Sequence, residues 1–214
     1  MLHEQELRVK WLGKRPYLPV WRSMQQQGKK MAEDPACAEA VWLCEHHPVY
    51  TTGRRGVDNR RSNKPLLAPL HRVDRGGETT FHGSGQVLMY PLLRLQARNL
   101  GVRSYVHLLE TSCIRLLADY HIDAHRREGF PGVWLSNKKI AAVGVRLRQG
   151  ISYHGMALNM HVDPKYFEAI NPCGLGFSVA NMCASSPCDE QLRTCAIAWA
   201  THLQRLLESE NYSG

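Results

Sequence analysis

The stretch AINPCGLGFSVA, residues 169–180, sets Cys173 between a proline and a glycine. Neither neighbour favours helical packing, so the thiol could be a small core hydrophobe, a metal ligand, half of a disulfide or a nucleophile. A free thiol titrates near about 8.5, which leaves only a few per cent as thiolate at neutrality. A nearby cation stabilises the thiolate and raises that fraction. Lys138, Lys139, His82 and His154 are the candidates. Lys139 is the most suggestive of them, because it leads directly into the apolar run IAAVG. A lysine at the mouth of a desolvated pocket can exchange protons near neutrality. For a nucleophile, Pro172 would stop the preceding segment, and Gly174 would let the next N–H turn toward a developing oxyanion.

A second chemical feature is RGGETTFHGSGQ, residues 75–86. It is no P-loop, since no Lys-Ser/Thr follows its last glycine, and it lacks the third glycine of a dinucleotide fingerprint. Four glycines within eleven residues mean tight hairpin turns or close approach of a ligand to main chain. His82 could be a hydrogen-bonded structural residue or a catalyst, and Arg75 could bind a carboxylate or phosphate or cap a loop.

These residues need elements to hold them. ELRVKWL (6–12) alternates as a strand, and YLPVWRSMQQQGKKMAED places Tyr17, Val20, Trp21, Met24 and Met31 on one helical face. Strands are expected at 40–46, 48–53, 71–75, 79–83, 86–93, 132–136, 138–148 and 151–160, the last two joined by Gln149-Gly150. Helices are expected at 102–120 and 188–208. Segment 54–64, RRGVDNRRSNK, has five basic residues against one aspartate and reads as an exposed loop. Grouped strands with a few helices between them indicate an α+β fold in one domain, 1–214: a mixed, mostly antiparallel sheet flanked by helices.

The chain has 214 residues, 43% of them hydrophobic and 21% charged, as in an ordinary globular protein. The start MLHEQELRVKWLGKR has no apolar run for a secretory signal, and no run is long enough to span a bilayer, so a cytoplasmic protein without membrane contact is expected. Seven cysteines without a Cys-x-x-Cys pair argue against a disulfide scaffold and against structural zinc; no metal is expected. A net charge of +8 favours an acidic partner. A nucleic-acid-binding module is one such reading, but it offers no reason for Lys139 or Cys173 and its basic residues are not interleaved with aromatics.

Three blocks, RGGETTFHGSGQVLMYPL, FPGVWLSNKKIAAVGVRLRQGISYHGMALNM and INPCGL, occur in order, with Lys139 preceding Cys173 by 34 residues. In this the chain resembles the octanoyl-acyl-carrier-protein–protein N-octanoyltransferases, the lipoyl/octanoyl transferases of lipoic acid synthesis, from about Leu43 to Leu175. The resemblance implies the fold shared by biotin and lipoate protein ligases. It puts the acyl-thioester cysteine on Cys173 and the catalytic lysine on Lys139. It puts substrate-binding segments on Arg75, Gly76, Gly77, Glu78, Thr79, Thr80, Phe81 and His82, on Ala142, Val143 and Gly144, and on Gly155, Met156 and Ala157. PVYTTGRRG matches the family's early TxGR element, placing Thr52, Gly53 and Arg54 at the active-site rim. Ser84 stands where the family usually has proline, which loosens that loop; Glu78 and Phe81 are milder departures.

The implied activity is octanoyl or lipoyl transfer from acyl carrier protein to a lysine of a lipoyl domain, without cofactor. The implied acceptors are the lipoyl domains of 2-oxoacid dehydrogenase E2 subunits and the glycine cleavage H protein, and the protein is expected to be a monomer. The alternative on the same fold is an ATP-dependent lipoate-protein ligase, which would have no use for Cys173.

Overall fold

The computed structural model describes residues 7–56, 65–170 and 178–209. Its elements run β1 (Arg8–Arg15), α1 (Tyr17–Glu33), β2 (Ala40–His46), β3 (Val49–Thr52), β4 (Leu70–Arg72), β5 (Thr79–His82), β6 (Gln86–Leu92), α2 (Val102–Asp119), β7 (Val133–Leu135), β8 (Lys138–Arg148), β9 (Ile151–Asn159), α3 (Lys165–Glu168) and α4 (Asp189–Glu208). A six-stranded sheet has the order β1-β2-β6-β9-β8-β7, and a three-stranded sheet the order β4-β3-β5. Pairing is antiparallel except for β1 with β2 and β3 with β4. This is the mixed α+β architecture expected from the grouping of strands.

Alternation along β6 shows how the large sheet is clad on both faces. Val87 and Met89 face a core shared with α2 and α4, where Leu109, Cys113, Leu116, Trp199 and Leu203 are buried. Leu88, Tyr90 and Leu92 face the other way, toward Val20, Met24 and Met31 of α1. The helical face read from the sequence is thus the buried one, with Trp21 at its margin. Trp199 also satisfies its indole N–H on Ser112 Oγ at 2.9 Å. At the start of α4 the Cys188 N–H donates to Gln191 Oε1 at 2.9 Å, and Asp189 and Glu190 sit against the positive end of the helix dipole. None of the described helices is long and apolar enough to cross a membrane.

The β8–β9 hairpin is the longest ribbon in the fold. Gln149 and Gly150 have φ of 50° and 78°, the pair of positive angles that a two-residue type I′ turn requires. In β9 the ladder to β6 runs from Gln86↔Asn159 to Met89↔Met156 and stops. It resumes where the Ser152 N–H donates to the Leu93 carbonyl at 2.9 Å. Between the two lies His154, with φ of 57°, in a region that non-glycine residues adopt at a cost.

One expected strand is cut short, and one short helix was not expected. The strand expected at 71–75 ends at Arg72, because Asp74 and Arg75 turn away to bond Trp21, Tyr153, His154 and Thr51. The short helix α3 has no periodicity long enough to announce it. The expected basic loop 54–64 lies outside the described residues from 57 onward, and its first residues form a turn with Arg54 and Arg55 exposed.

Gly155 is required by packing. A Cβ there would lie 2.9 Å from Pro91 Cδ and closer still to the Met89 carbonyl oxygen, which is backbone and cannot yield. Gly155→Ala should cost about 2 kcal/mol or more, seen as a lower urea midpoint. A wild-type midpoint would contradict this reading of the β6–β9 gap.

Candidate active site

A cavity of about 240 Å³ is lined by β5, β6, β8 and β9. Lys139, Arg75, Gly77, Glu78, Thr79, Thr80, His82, Ala142, Val143, Gly144, Gly155, Met156 and Ala157, all singled out in the sequence, contribute to its wall. Gly76 and Phe81 do not line it. The Gly76 carbonyl accepts from Arg75 Nη1 at 2.9 Å, and Phe81 packs on Tyr50 and, at 4.1 Å between ring centroids, on Tyr166. Cys173, with residues 171–177, lies outside the described residues.

Lys139 is half-buried near the start of β8. Its ammonium donates to the Pro131 carbonyl at 2.9 Å and lies 4.7 Å from the centre of the Trp134 ring. Its backbone is bonded both ways to the chain that follows residue 177. The Lys139 N–H donates to Ser178 O at 3.1 Å, and the Ala180 N–H to Lys139 O at 2.9 Å. Ser178 and Val179 therefore stand on the cavity wall beside Lys139. Lys138, the neighbouring candidate, is exposed.

The glycine-rich block is tied to β3 and its turn. The buried Arg75 guanidinium donates to Thr51 Oγ1 at 2.8 and 3.2 Å and to the Thr51 carbonyl at 2.7 Å. The Arg54 and Arg55 N–H groups donate to the Arg75 and Gly77 carbonyls at 3.0 and 3.3 Å. Of this turn, Arg55 lines the cavity, whereas Thr52, Gly53 and Arg54, expected at its rim, do not. At the other end of the block, Ser84 Oγ accepts from Lys14 Nζ at 2.7 Å and the Gly85 N–H donates to Glu45 Oε1 at 2.8 Å. Those bonds anchor the turn that carries Ser84.

A polar cluster backs the cavity: Tyr17, His82, Gln86, Tyr90, His154 and Asn159 line it, Asp74 and His46 stand behind them, and most of it carries no local signal in the sequence. His154 lies between Asp74 Oδ1, 3.0 Å from its Nε2, and the Tyr17 hydroxyl, 3.4 Å from its Nδ1. Tyr17 stacks on His82 at 5.9 Å with the rings 5° apart. His82 Nδ1 is 3.3 Å from Gln86 Oε1, while Gln86 Nε2 donates to Asn159 Oδ1 at 2.8 Å. His46 donates from Nδ1 to the Arg15 carbonyl at 2.8 Å, leaving Nε2 to accept from the Tyr90 hydroxyl at 2.9 Å. Each histidine thus holds one N–H on an acceptor, the arrangement of a neutral ring with a fixed tautomer.

Electrostatics agree with that assignment. Burial draws His46 from 6.5 down to about 4. His82 falls well below its ordinary value through burial and the neighbouring Arg75 charge. Burial also lowers His154, against the opposing pull of Asp74. Burial works to raise Asp74 as well, but hydrogen bonds from His154, Tyr153 and Trp21 together outweigh it and hold that carboxyl well below the usual carboxylate range.

Residues 17–200 match the family model of the lipoyl protein ligase A/B catalytic domain. The chain belongs to that family. Among similar lipoyl protein ligase A/B members, the octanoyltransferase of Halorhodospira halophila is 42% identical over 79% of this chain and 77% of its own. That of Azoarcus sp. is 46% identical over 78% of this chain and 73% of its own. The fold is similar to that in a solved archaeal lipoylation system from Thermoplasma acidophilum, a bi-partite lipoate protein ligase with its E2 lipoyl domain. There the TM-score is 0.63 at 15% identity, covering 98% of this chain and 94% of that one. The ligase-like fold expected from the resemblance is the one observed.

The neutral histidines make acid stability a test of this polar cluster. Below pH 6.5 an unfolded histidine takes up a proton that buried His46 refuses until about 4, so stability must fall as pH drops through that window. For His46 alone the loss is on the order of 2 kcal/mol by about pH 5. Thermal unfolding at pH 7 and pH 5 should show that decline, and His46→Gln should lessen it without abolishing it, because His82 and His154 remain. A midpoint unchanged between the two pH values in the wild type would refute the neutral assignment.

Proposed function

We infer that the chain is an octanoyltransferase of protein lipoylation, passing an octanoyl group from acyl carrier protein to a lysine of a lipoyl domain. The observation that carries the mechanism is the pairing of Lys139 with Ser178 and Ala180 at the cavity wall. Cys173 is five residues before Ser178 in the chain, a tether of no more than about 18 Å even if fully extended. Lys139 and Cys173 are therefore joined through a short length of chain whose end is bonded to the lysine's own backbone.

The chemistry follows from a thiolate–ammonium pair. The Cys173 thiolate attacks the carbonyl of the donor thioester and forms a tetrahedral oxyanion. Collapse breaks the bond to the phosphopantetheine sulfur, which leaves with the proton of Lys139. One thioester has replaced another, so this half needs no ATP. The ε-amine of the acceptor lysine then attacks the acyl-enzyme and surrenders a proton to the now neutral Lys139. Cys173 departs as thiolate, an amide is formed, and the starting pair is restored. Backbone N–H donors at the oxyanion are worth roughly 3–4 kcal/mol.

Apolar side chains of the cavity, Leu88, Val143 and Met156 among them, give the alkyl chain a surface to bury. Exposed Arg54 and cavity-lining Arg55 suit the acidic surface of a carrier protein. The acceptors proposed are the lipoyl domains of 2-oxoacid dehydrogenase E2 subunits and the glycine cleavage H protein, served by a monomeric, cytoplasmic enzyme.

Intact-protein mass spectrometry after mixing with octanoyl carrier protein, without ATP, should show one octanoyl group on the wild type and none on Cys173→Ala. Acylation only when free octanoate and ATP are supplied would reverse the assignment in favour of a ligase. Shortening the donor by two carbons forfeits about 1.6 kcal/mol of burial, so a hexanoyl donor should react roughly fifteen-fold less efficiently. Equal kcat/KM for the two donors would remove the cavity as the acyl site.

A further inference from the structure

We propose that Glu110, on α2, is a positioning residue for Lys139, acting through the segment 126–132; the proposal rests on the role given to Lys139 above. Glu110 is buried, 6% exposed, and is not part of the cavity wall. Both of its carboxylate oxygens reach into that segment. Oε1 accepts from the Gly132 N–H at 2.7 Å, and Oε2 from Arg126 Nε at 3.2 Å. Arg126 is itself held from Nη2, by the His107 carbonyl at 3.0 Å and by Thr111 Oγ1, both on α2.

The carbonyl that receives the Lys139 ammonium belongs to Pro131, the residue bonded to the nitrogen of Gly132. Glu110 therefore fixes one end of a peptide unit whose other end is the lysine's acceptor, and that unit is planar and stiff. The segment has little room to adjust. The His125 and Trp134 backbones exchange hydrogen bonds at 2.9 Å, and Trp134 Nε1 donates to the Phe130 carbonyl at 3.0 Å. Gly132 has φ of 120°, and a Cβ on it would meet the Ala141 carbonyl at 2.5 Å and Lys139 Cε at 3.4 Å. Lys139 is thus set between Trp134 and a loop that α2 holds from behind.

A buried carboxylate is a poor device for stability alone, since an apolar side chain of similar size often serves as well or better. Its two charge-assisted bonds have a direction, and they aim the Pro131 carbonyl. Small errors in the placement of a reacting group cost rate steeply, up to about a hundred-fold for an ångström.

The test compares Glu110→Met, which fills the space but cannot accept from Gly132, with Glu110→Gln, which keeps an oxygen there. Lys139→Ala serves as the reference. Single-turnover acylation by octanoyl carrier protein at saturating donor should fall between about 10- and 100-fold in Glu110→Met, with donor KM within about two-fold of wild type. Glu110→Gln should recover most of the rate. A folded Glu110→Met variant reacting at the wild-type rate, whatever its melting temperature, overturns the proposal. So does equal slowing of the Met and Gln variants, since the acceptor oxygen would then be irrelevant. Should Glu110→Met fail to fold, Glu110→Asp, one methylene short, takes its place in the same comparison. Slow Lys139→Ala with an unaffected Glu110→Met removes the positioning role alone, whereas wild-type acylation by Lys139→Ala removes the lysine's role and this proposal with it.

Discussion

Two backbone hydrogen bonds at Lys139 hold the site in register. β9 ends at Asn159, and the β8–β9 ladder begins only at Ala141↔Leu158, so the first residues of β8 have no partner from β9. Residues 178–180 take that place, bonded to Lys139 on both its N–H and its carbonyl. Asn159 secures the substitution, since its side-chain amide donates to the Ala180 carbonyl at 3.1 Å and its own carbonyl accepts from Met182 at 3.0 Å. On the other side of β8, Trp134 pairs with Lys139. A lysine with both backbone edges occupied has a fixed Cα, and only its side chain is left to be aimed. That aim is what the Pro131 carbonyl and the Trp134 ring provide.

The cavity combines surfaces with opposite demands. An alkyl chain wants apolar wall, whereas a tetrahedral oxyanion and a travelling proton want fixed dipoles. On the proposed reading, Leu88, Val143 and Met156 would meet the first demand, and the histidine–tyrosine cluster would offer the second with neutral rings. Neutral dipoles fixed by hydrogen bonds cost less to bury than ions and need little reorganisation when charge develops beside them. Asp74 is the ionised member, and it keeps one oxygen on Trp21 and His154 and the other on Tyr153.

What could be read from the chain is what is written locally. The glycine-rich block and the apolar runs of β8 and β9 carry their signals within a dozen residues, and Lys139 was visible because it abuts such a run. The junction of β8 and β9 at Gln149-Gly150, the buried face of α1 and the helices α2 and α4 were legible for the same reason. Tyr17, Tyr90, Asn159 and Pro131 reach the cavity from separate elements, and no spacing in the sequence links them. Glu110 was the least visible, an ordinary helix residue until the fold laid Gly132 against it. The strand expected at 71–75 stops at Arg72 because Asp74 and Arg75 are spent on side-chain bonds across the fold instead of on a ladder.

The interruption between β6 and β9 has a consequence of its own. Tyr90, His154 and Gly155, all on the cavity wall, are the residues at the break. If the cavity takes the acyl chain as proposed, the ladder is interrupted beside the guest, and a positive φ at His154 and a close-packed Gly155 are the local cost. Selection for heat resistance would press to complete that seam, and a completed seam leaves no pocket. Such a protein can be hardened at its helices and its rim, but at this one place its ceiling of robustness is set by its work.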